Sequence, residues 1–344
     1  MTAILFPPLG TDVEAQSRKA APKISSSDKP LVLAKQGSFF VNQQDIATAF
    51  PAGSGTPAPG HISVKGMYVQ YQIPASRRHG MYPVIMVHGS GHTGKTYEET
   101  PDGRIGWAEY FVRHGIPVYV VDHSGRARSG FDPTPINKAK LEKDPALIPA
   151  FAEFTNEQAW TGFRSGPAAF TAYEKTQFPV SARDQYFAQI VPNTETSYPD
   201  AGDNTIRALA ALVDRIGPAV VMVHSQSGAY GIGAAIARPD SVKAVVSVEP
   251  RSCAVPDEKV KAVFTRVRLL SIFGDFFDTN VADWPGRMAE CVESVNRIKT
   301  AHGFAENIHL PACGIRGNSH MLMMDMNNLQ IADLILAWLA DNAR

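Results

Sequence analysis

Pro218-Ala219-Val220-Val221-Met222-Val223-His224-Ser225-Gln226-Ser227-Gly228-Ala229-Tyr230-Gly231 reads as a buried strand, a sharp turn and the start of a helix. An unbroken apolar run suits a parallel strand covered on both faces, and the small residues after it suit a tight strand-to-helix turn. A serine at such a turn has the setting of a nucleophile. The bend lifts its hydroxyl above the end of the sheet, and the N–H groups of the beginning helix face a developing oxyanion. The flanking glycines of the usual Gly-x-Ser-x-Gly pattern are both missing. Ser227 has the smaller neighbours, Ser225 and Ala229, whereas Ser225 has Val223, so both serines stand as candidates on steric grounds.

Outward from this stretch the chain keeps a strand-helix rhythm on both sides. Pro83-Val84-Ile85-Met86-Val87 and Pro117-Val118-Tyr119-Val120-Val121-Asp122 read as buried strands, with a helix over Gly106 to His114 between them. That spacing is a βαβ unit and implies a parallel sheet. Leu31–Ala34 and Ser38–Val41 read as two strands around a turn at Gly37, and Met67–Ile73 alternates like a strand with one wet face. Pro51 to Gly60 reads as a loop. After the central stretch come strands at Val242–Val248 and Val267–Phe273, a helix around Met288 to Thr300, a short strand at Ile308–Leu310 and a final helix from about Asn327 to Leu339. The helix Asn204 to Ile216 carries Ile206, Leu209, Leu212, Val213 and Ile216 on one stripe.

From Phe131 to about Asp200 the rhythm stops. Aromatic residues and prolines are scattered without a buried strand, which implies a helical insertion covering the sheet. The expected organisation is a loose leader over 1–30, a first α/β part over 31–130, a helical cap over 131–200 and a second α/β part over 201–344.

The chain has 344 residues with 33 Lys+Arg against 33 Asp+Glu, so its net charge is zero and nucleic acid is not an expected partner. Its apolar runs fall short of the roughly 18 residues of a membrane span. The N-terminus has no basic region ahead of its short apolar run and makes a poor secretory signal. Cytoplasmic residence is the default expectation, with a periplasmic or secreted location as the alternative. Cys253, Cys291 and Cys313 lack metal-like spacing, and an odd count allows one disulfide at most within the chain.

Two chemistries compete for the loop after the strand at Val84–Val87. Gly89-Ser90-Gly91-His92-Thr93-Gly94-Lys95-Thr96 satisfies the phosphate-cradling pattern Gly-x-x-x-x-Gly-Lys-[Ser/Thr], and Asp122 ends a neighbouring strand as a magnesium ligand would. A phosphate loop needs a sustained helix directly after Lys-Thr, whereas Pro101-Asp102-Gly103 stops any helix here after about one turn. Nucleotide binding is therefore the runner-up. In the other reading, His88-Gly89-Ser90-Gly91 turns the N–H of Ser90 or Gly91 toward an acyl oxygen, and the N–H of Gln226 is the second donor.

A nucleophilic serine needs a base and a carboxylate that orients it, in the chain order Ser, acid, His. His320, in the turn Gly317-Asn318-Ser319-His320 before the last helix, sits where the base belongs. Asp275 and Asp278 after the strand at Val267–Phe273, and Glu249 after the strand at Val242–Val248, compete as the acid, and position alone favours Asp278.

His224-Ser225-Gln226-Ser227-Gly228, Gly37-Ser38-Phe39-Phe40-Val41, Pro101-Asp102-Gly103-Arg104 with Gly106-Trp107, Thr176-Gln177-Phe178-Pro179 and Gly317-Asn318-Ser319-His320-Met321 together resemble the 713-type bacterial esterases of the α/β-hydrolase superfamily. The resemblance spans about residue 31 to the C-terminus. It implies an α/β-hydrolase fold, a mostly parallel sheet with helices on both faces and a helical cap insertion. It further implies a serine carboxylesterase with Ser225 as nucleophile, His320 as base and Glu249 as acid, working through an acyl-enzyme without metal or organic cofactor. Lactonase, amidase and thioesterase activities use the same triad, and a non-catalytic ligand-binding protein on this scaffold is the alternative of another class. The expected partner is a small to medium ester with an apolar or aromatic group, contacted by Trp160, Phe163, Arg164 and Phe178. Homo-oligomerisation stays open.

Overall fold

The computed structural model describes residues 29–50, 57–193, 195–198, 200–277 and 282–343. Its strands are β1 (Leu33–Val41), β2 (Gln44–Thr48), β3 (Gly60–Val64), β4 (Met67–Pro74), β5 (Val84–Val87), β6 (Val118–Asp122), β7 (Ala219–His224), β8 (Val242–Val248), β9 (Arg268–Phe273) and β10 (Ala305–His309). The helices are α1 (Lys95–Glu98), α2 (Trp107–Arg113), α3 (Thr134–Glu142), α4 (Asn156–Gly162), α5 (Arg183–Phe187), α6 (Ala201–Ile216), α7 (Gly228–Ala237), α8 (Asp257–Ala262), α9 (Trp284–Thr300) and α10 (Asn328–Asn342).

Eight strands form one sheet in the order β1-β4-β6-β5-β7-β8-β9-β10. β4 runs antiparallel to β1 and β6, and every pairing from β6 to β10 is parallel. The apolar strands lack polar alternation because both of their faces are covered. Met86, Met222 and Leu270 join the core beneath α2 and α10, while Ile85, Val221 and Leu269 join the core beneath α6, α7, α8 and α9. This is the mostly parallel sheet with helices on both faces that the sequence predicts.

Several local expectations change. β1 is one continuous strand, so Gly37 is not a turn; a Cβ there would lie 2.8 Å from the Tyr71 hydroxyl on β4, and glycine makes room for that ring. β2 and β3 form a separate antiparallel hairpin that the sequence reading leaves unassigned, and Gly60, expected at the end of a loop, opens β3. Ile308 and His309 end β10 rather than begin a strand, and Leu310 opens a short 3-10 turn. The proposed leader lies outside the described residues except for Lys29 and Pro30.

Between β6 and α6 the chain forms α3, α4, α5 and short 3-10 turns, with no strand among the described residues of that segment. α4 begins with a reciprocal capping box between Thr155 and Gln158, which satisfies N–H groups that would otherwise be orphaned. The aromatic residues of this segment pack on one another: Trp160 meets Phe178 at 5.9 Å and Phe178 meets Tyr186 at 5.2 Å between ring centroids.

β5 lies between β6 and β7, so the chain leaves β5 to one side and later returns on its other side. Such a reversal opens a crevice at the carboxyl ends of the two strands, where open α/β sheets bind their ligands. The loops after β5 and β7 meet there. A buried disulfide joins Cys253, in the loop after β8, to Cys291 in α9, and Cys313 is free and exposed. The bridge closes a loop over a sequence separation of 38 residues, so its removal by Cys291→Ser should lower unfolding stability by about 2–4 kcal/mol. Urea unfolding of the variant beside the oxidised protein measures this, and equal midpoints would show that the bridge does not constrain the unfolded chain.

Candidate active site

β7 ends at His224, and Ser225 follows it with φ of 53°, a left-handed conformation that costs a non-glycine residue about 1–3 kcal/mol. Surrounding packing enforces it. The Arg251 N–H donates to Ser225 O at 2.8 Å, and Gly89 lies so close that a Cβ on it would sit 2.8 Å from Ser225 Cβ. Room for the bend comes from glycines elsewhere. A Cβ on Gly228 would meet Ser252 O at 2.2 Å, and Gly231 accommodates Val223, the residue that replaces the first flanking glycine.

The bend points Ser225 Oγ at His320 Nε2, 2.8 Å away, and His320 Nδ1 lies 3.0 Å from Glu249 Oε2. The network assigns the proton to Nδ1, donated to the carboxylate, which leaves Nε2 to accept from the serine. Ser227 turns the other way. Its hydroxyl is fully buried, donates to His88 O at 2.5 Å and accepts from His123 Nε2 at 2.7 Å.

Glu249 follows β8 with φ of 49° and has no exposed surface. Its Oε1 accepts from Arg164 Nη2 at 2.6 Å and from the Gly274 N–H. Burial alone would raise this carboxyl, but the Arg164 charge and the His320 hydrogen bond outweigh it and hold the pKa at about 2. His320 is lowered to about 4, chiefly by burial; Glu249 pulls upward while Arg164 and Arg287 add to the lowering. Of the other candidate acids, Asp275 accepts the Phe276 and Gly317 N–H groups at 2.8 Å and 2.9 Å, so it braces the His320 loop without touching the imidazole. Asp278 lies outside the described residues.

The His320 loop is fixed from behind. Asp325 accepts from Ser319 Oγ at 2.7 Å and from the Ser319 N–H and Asn318 Nδ2 at 2.9 Å each, and burial pushes its pKa up to about 7. The His320 N–H donates to Phe163 O, and the Phe163 ring stacks on the imidazole at 5.4 Å. Trp284, which the sequence reading does not single out, packs against the same ring at 4.6 Å.

The loop after β5 faces Ser225 across the crevice. Of its two expected donors only Ser90 has a free N–H among the described residues; the Gly91 N–H is bound to Asn193 Oδ1 at 2.7 Å. Gly91 is therefore a poor oxyanion donor, because its N–H is already committed to an internal acceptor. Asn193 also donates to Ser90 Oγ at 3.0 Å. Buried Arg126 holds the loop from below, donating to Gly89 O at 2.8 Å and His92 O at 3.2 Å while paired with Glu195. Burial would raise the Glu195 carboxyl, but the neighbouring His123 and Arg126 outweigh it and bring its pKa to about 2. No motif in the sequence marks Asn193, Arg126 or Glu195, because the partners named here lie 34 to 103 residues away.

The same segment does not form a phosphate cradle. α1 is four residues long, Lys95 Nζ donates to Glu99 O at 3.0 Å, and Asp122 accepts from the Gly94 N–H and pairs with Arg128. Both the cation and the acid of that motif are occupied by the protein. Among the described residues no group of three His, Cys, Asp or Glu side chains is placed to hold a metal ion, and no helix is long and apolar enough to cross a membrane.

Ser225, His320, Ser90, Gln226 and Phe163 line one cavity of about 540 Å3, with Phe154, Trp284, Arg251 and Arg287 on its wall. Three expected substrate contacts are not on that lining. Trp160 and Phe178 are consumed by the aromatic packing of the inserted segment, with Trp160 Nε1 donating to Thr171 O. Arg164 is wholly buried behind Glu249, where it is a counter-ion and stacks on Trp284 at 4.1 Å.

No family model matches the chain. Over 326 residues the chain is 30% identical to a protein named "Probable secreted lipase phiG" from Fungal sp. (strain ATCC 74256), an alignment covering 79% of this chain and 85% of that one. A solved structure described as a novel bacterial esterase shares 40% identity with a TM-score of 0.87, covering 94% of this chain and 100% of that one. With this sheet order, these crossovers and these relatives, the chain belongs to the α/β-hydrolase superfamily, in the bacterial esterase family that its motifs resemble.

Proposed function

We propose that the protein is a serine carboxylesterase in which Ser225 is the nucleophile, His320 the general base and acid, and Glu249 the orienting carboxylate. The observation that carries this reading is the unbroken hydrogen-bonded line from Ser225 Oγ to His320 to Glu249 at the floor of the cavity. In the first half-reaction the Ser225 oxygen attacks the ester carbonyl while His320 Nε2 takes its proton. The carbonyl oxygen becomes an oxyanion facing the N–H groups of Ser90 and Gln226. His320 then returns the proton to the leaving alcohol, and water, deprotonated by the same imidazole, releases the acid from the acyl-enzyme. Phe154, Phe163 and Trp284 give the cavity an apolar wall suited to a small or medium ester with an aromatic or alkyl group. The bridge between Cys253 and Cys291, with the secreted character in the fungal relative's name, supports residence in an oxidising compartment rather than the cytoplasm.

Ser225→Ala should abolish covalent labelling by a fluorophosphonate, and Ser227→Ala should retain it. Labelling that persists in Ser225→Ala and vanishes in Ser227→Ala would transfer the role to the second serine.

Only neutral His320 can take a proton. With its pKa lowered from 6.5 to about 4, kcat/KM should hold steady as pH falls through 6.5 and decline as pH falls through about 4. Arg164→Met removes a cation that disfavours the imidazolium, so the acid limb should move to higher pH. A pH-rate profile of both proteins decides this, and a wild-type limb at 6.5 contradicts the assigned environment.

A further inference from the structure

We infer that Arg251 and Arg287 form an anion subsite in the cavity, so that the preferred substrates are esters carrying a carboxylate, such as monoesters of dicarboxylic acids. This rests on the esterase reading and adds the substrate class to it.

The protein treats its other arginines near the site differently from these two. The wholly buried ones are each neutralised by a carboxylate, Arg126 by Glu195 and Arg164 by Glu249. Arg251 and Arg287 line the cavity beside Ser225 and His320, yet neither makes an ion pair among the described residues. Nearby acids are used elsewhere. Asp283 caps α9 through the Gly286 N–H at 2.9 Å, and Glu290 accepts from Ser252 Oγ at 2.6 Å and the Cys253 N–H at 3.0 Å. Glu153 also lines the cavity, from the inserted segment.

Both arginines are anchored close to the reacting groups. Arg251 donates its own N–H to Ser225 O, and the Arg287 guanidinium lies over Trp284 at 4.4 Å, the ring that packs against His320. The disulfide brings the two segments together. Arg251 stands two residues before Cys253, and Arg287 stands four residues, about one helical turn, before Cys291. Burial and the neighbouring Arg251 and Arg164 charges lower the Arg287 pKa, outweighing the upward pull of Glu249 and Asp283. An anion entering between Arg251 and Arg287 would relieve that repulsion, and a planar carboxylate suits guanidinium donors. Hydrolysis of such a monoester breaks the acyl C–O bond, gives the alcohol the proton carried by His320, and consumes one water to release the dicarboxylate.

Two measurements test this. The first is the kcat/KM ratio of mono-4-nitrophenyl glutarate to 4-nitrophenyl valerate, which match in length and differ in charge. Wild type should favour the anionic ester about tenfold or more, the scale of one charge-assisted hydrogen bond. Arg251→Gln and Arg287→Gln should each reduce that ratio several-fold, and added salt should reduce it in wild type. A wild-type ratio of one or below, or a ratio that neither variant changes, overturns the subsite. The second is calorimetric binding of glutarate to Ser225→Ala protein, which needs no catalysis. Binding that weakens about tenfold in the added Arg251→Gln variant supports the subsite even where no ester is turned over, in which case the esterase reading alone fails. Absence of glutarate binding, with valerate ester hydrolysis intact in wild type, overturns the subsite and leaves the esterase reading standing.

Discussion

A carboxylate without solvent must find its compensation inside the protein, and Glu249 draws three separate parts of the chain together to obtain it. The guanidinium of Arg164 arrives from the end of α4, the Gly274 N–H from the end of β9, and the His320 imidazole from the loop before α10. Removing the arginine would leave a buried charge uncompensated, a change that costs about 3–5 kcal/mol in comparable pairs. Arg164, Ser225 and Glu249 all adopt positive φ, at 57°, 53° and 49°. Strained backbone at three linked positions persists only where the surrounding contacts over-determine it. Here those contacts are the same hydrogen bonds that align serine, imidazole and carboxylate.

How much of this the sequence discloses follows from the range of the interactions. Buried parallel strands are legible because their apolar runs are local, and the turns bearing Ser225 and His320 are legible because each strand end marks a place on the sheet. The acid is not legible from position. Asp275, two residues past the end of β9, is drawn to the Gly317 N–H, while the longer Glu249 one strand nearer reaches the imidazole. The missing elbow glycines mislead for a related reason. The close approach they usually permit is supplied by Gly89 from the loop after β5, Gly228 and Gly231, and only the folded structure brings Gly89 to Ser225. The aromatic residues of the insertion announce a packed segment, but composition cannot say that Trp160 and Phe178 face that segment's own core while Phe163 faces the cavity.

The loop after β5 illustrates how one sequence pattern serves a different physical end. Its glycines and small residues satisfy a phosphate-loop pattern, yet Arg126 holds Gly89 O and His92 O, and Asn193 holds the Gly91 N–H. A loop whose carbonyls and amides are tied down this way has its remaining Ser90 N–H preset in direction. Fixed dipoles need no reorganisation when charge develops, which is the condition under which donors stabilise an oxyanion most.

These ties also limit what the segment between β6 and α6 can do. Near its middle, Arg164 neutralises Glu249; near its end, Glu195 neutralises Arg126 and Asn193 binds the loop after β5. Swinging the whole segment away from the sheet would separate two buried ion pairs, each costing several kcal/mol to break. A hinged lid is therefore a poor description of it. Access to Ser225 is better served by the cavity's rim, where Gln158, Glu153 and Arg251 are exposed and no such pair has to part. The segment acts as a fixed wall, and its charges, rather than its aromatic packing alone, are what fix it.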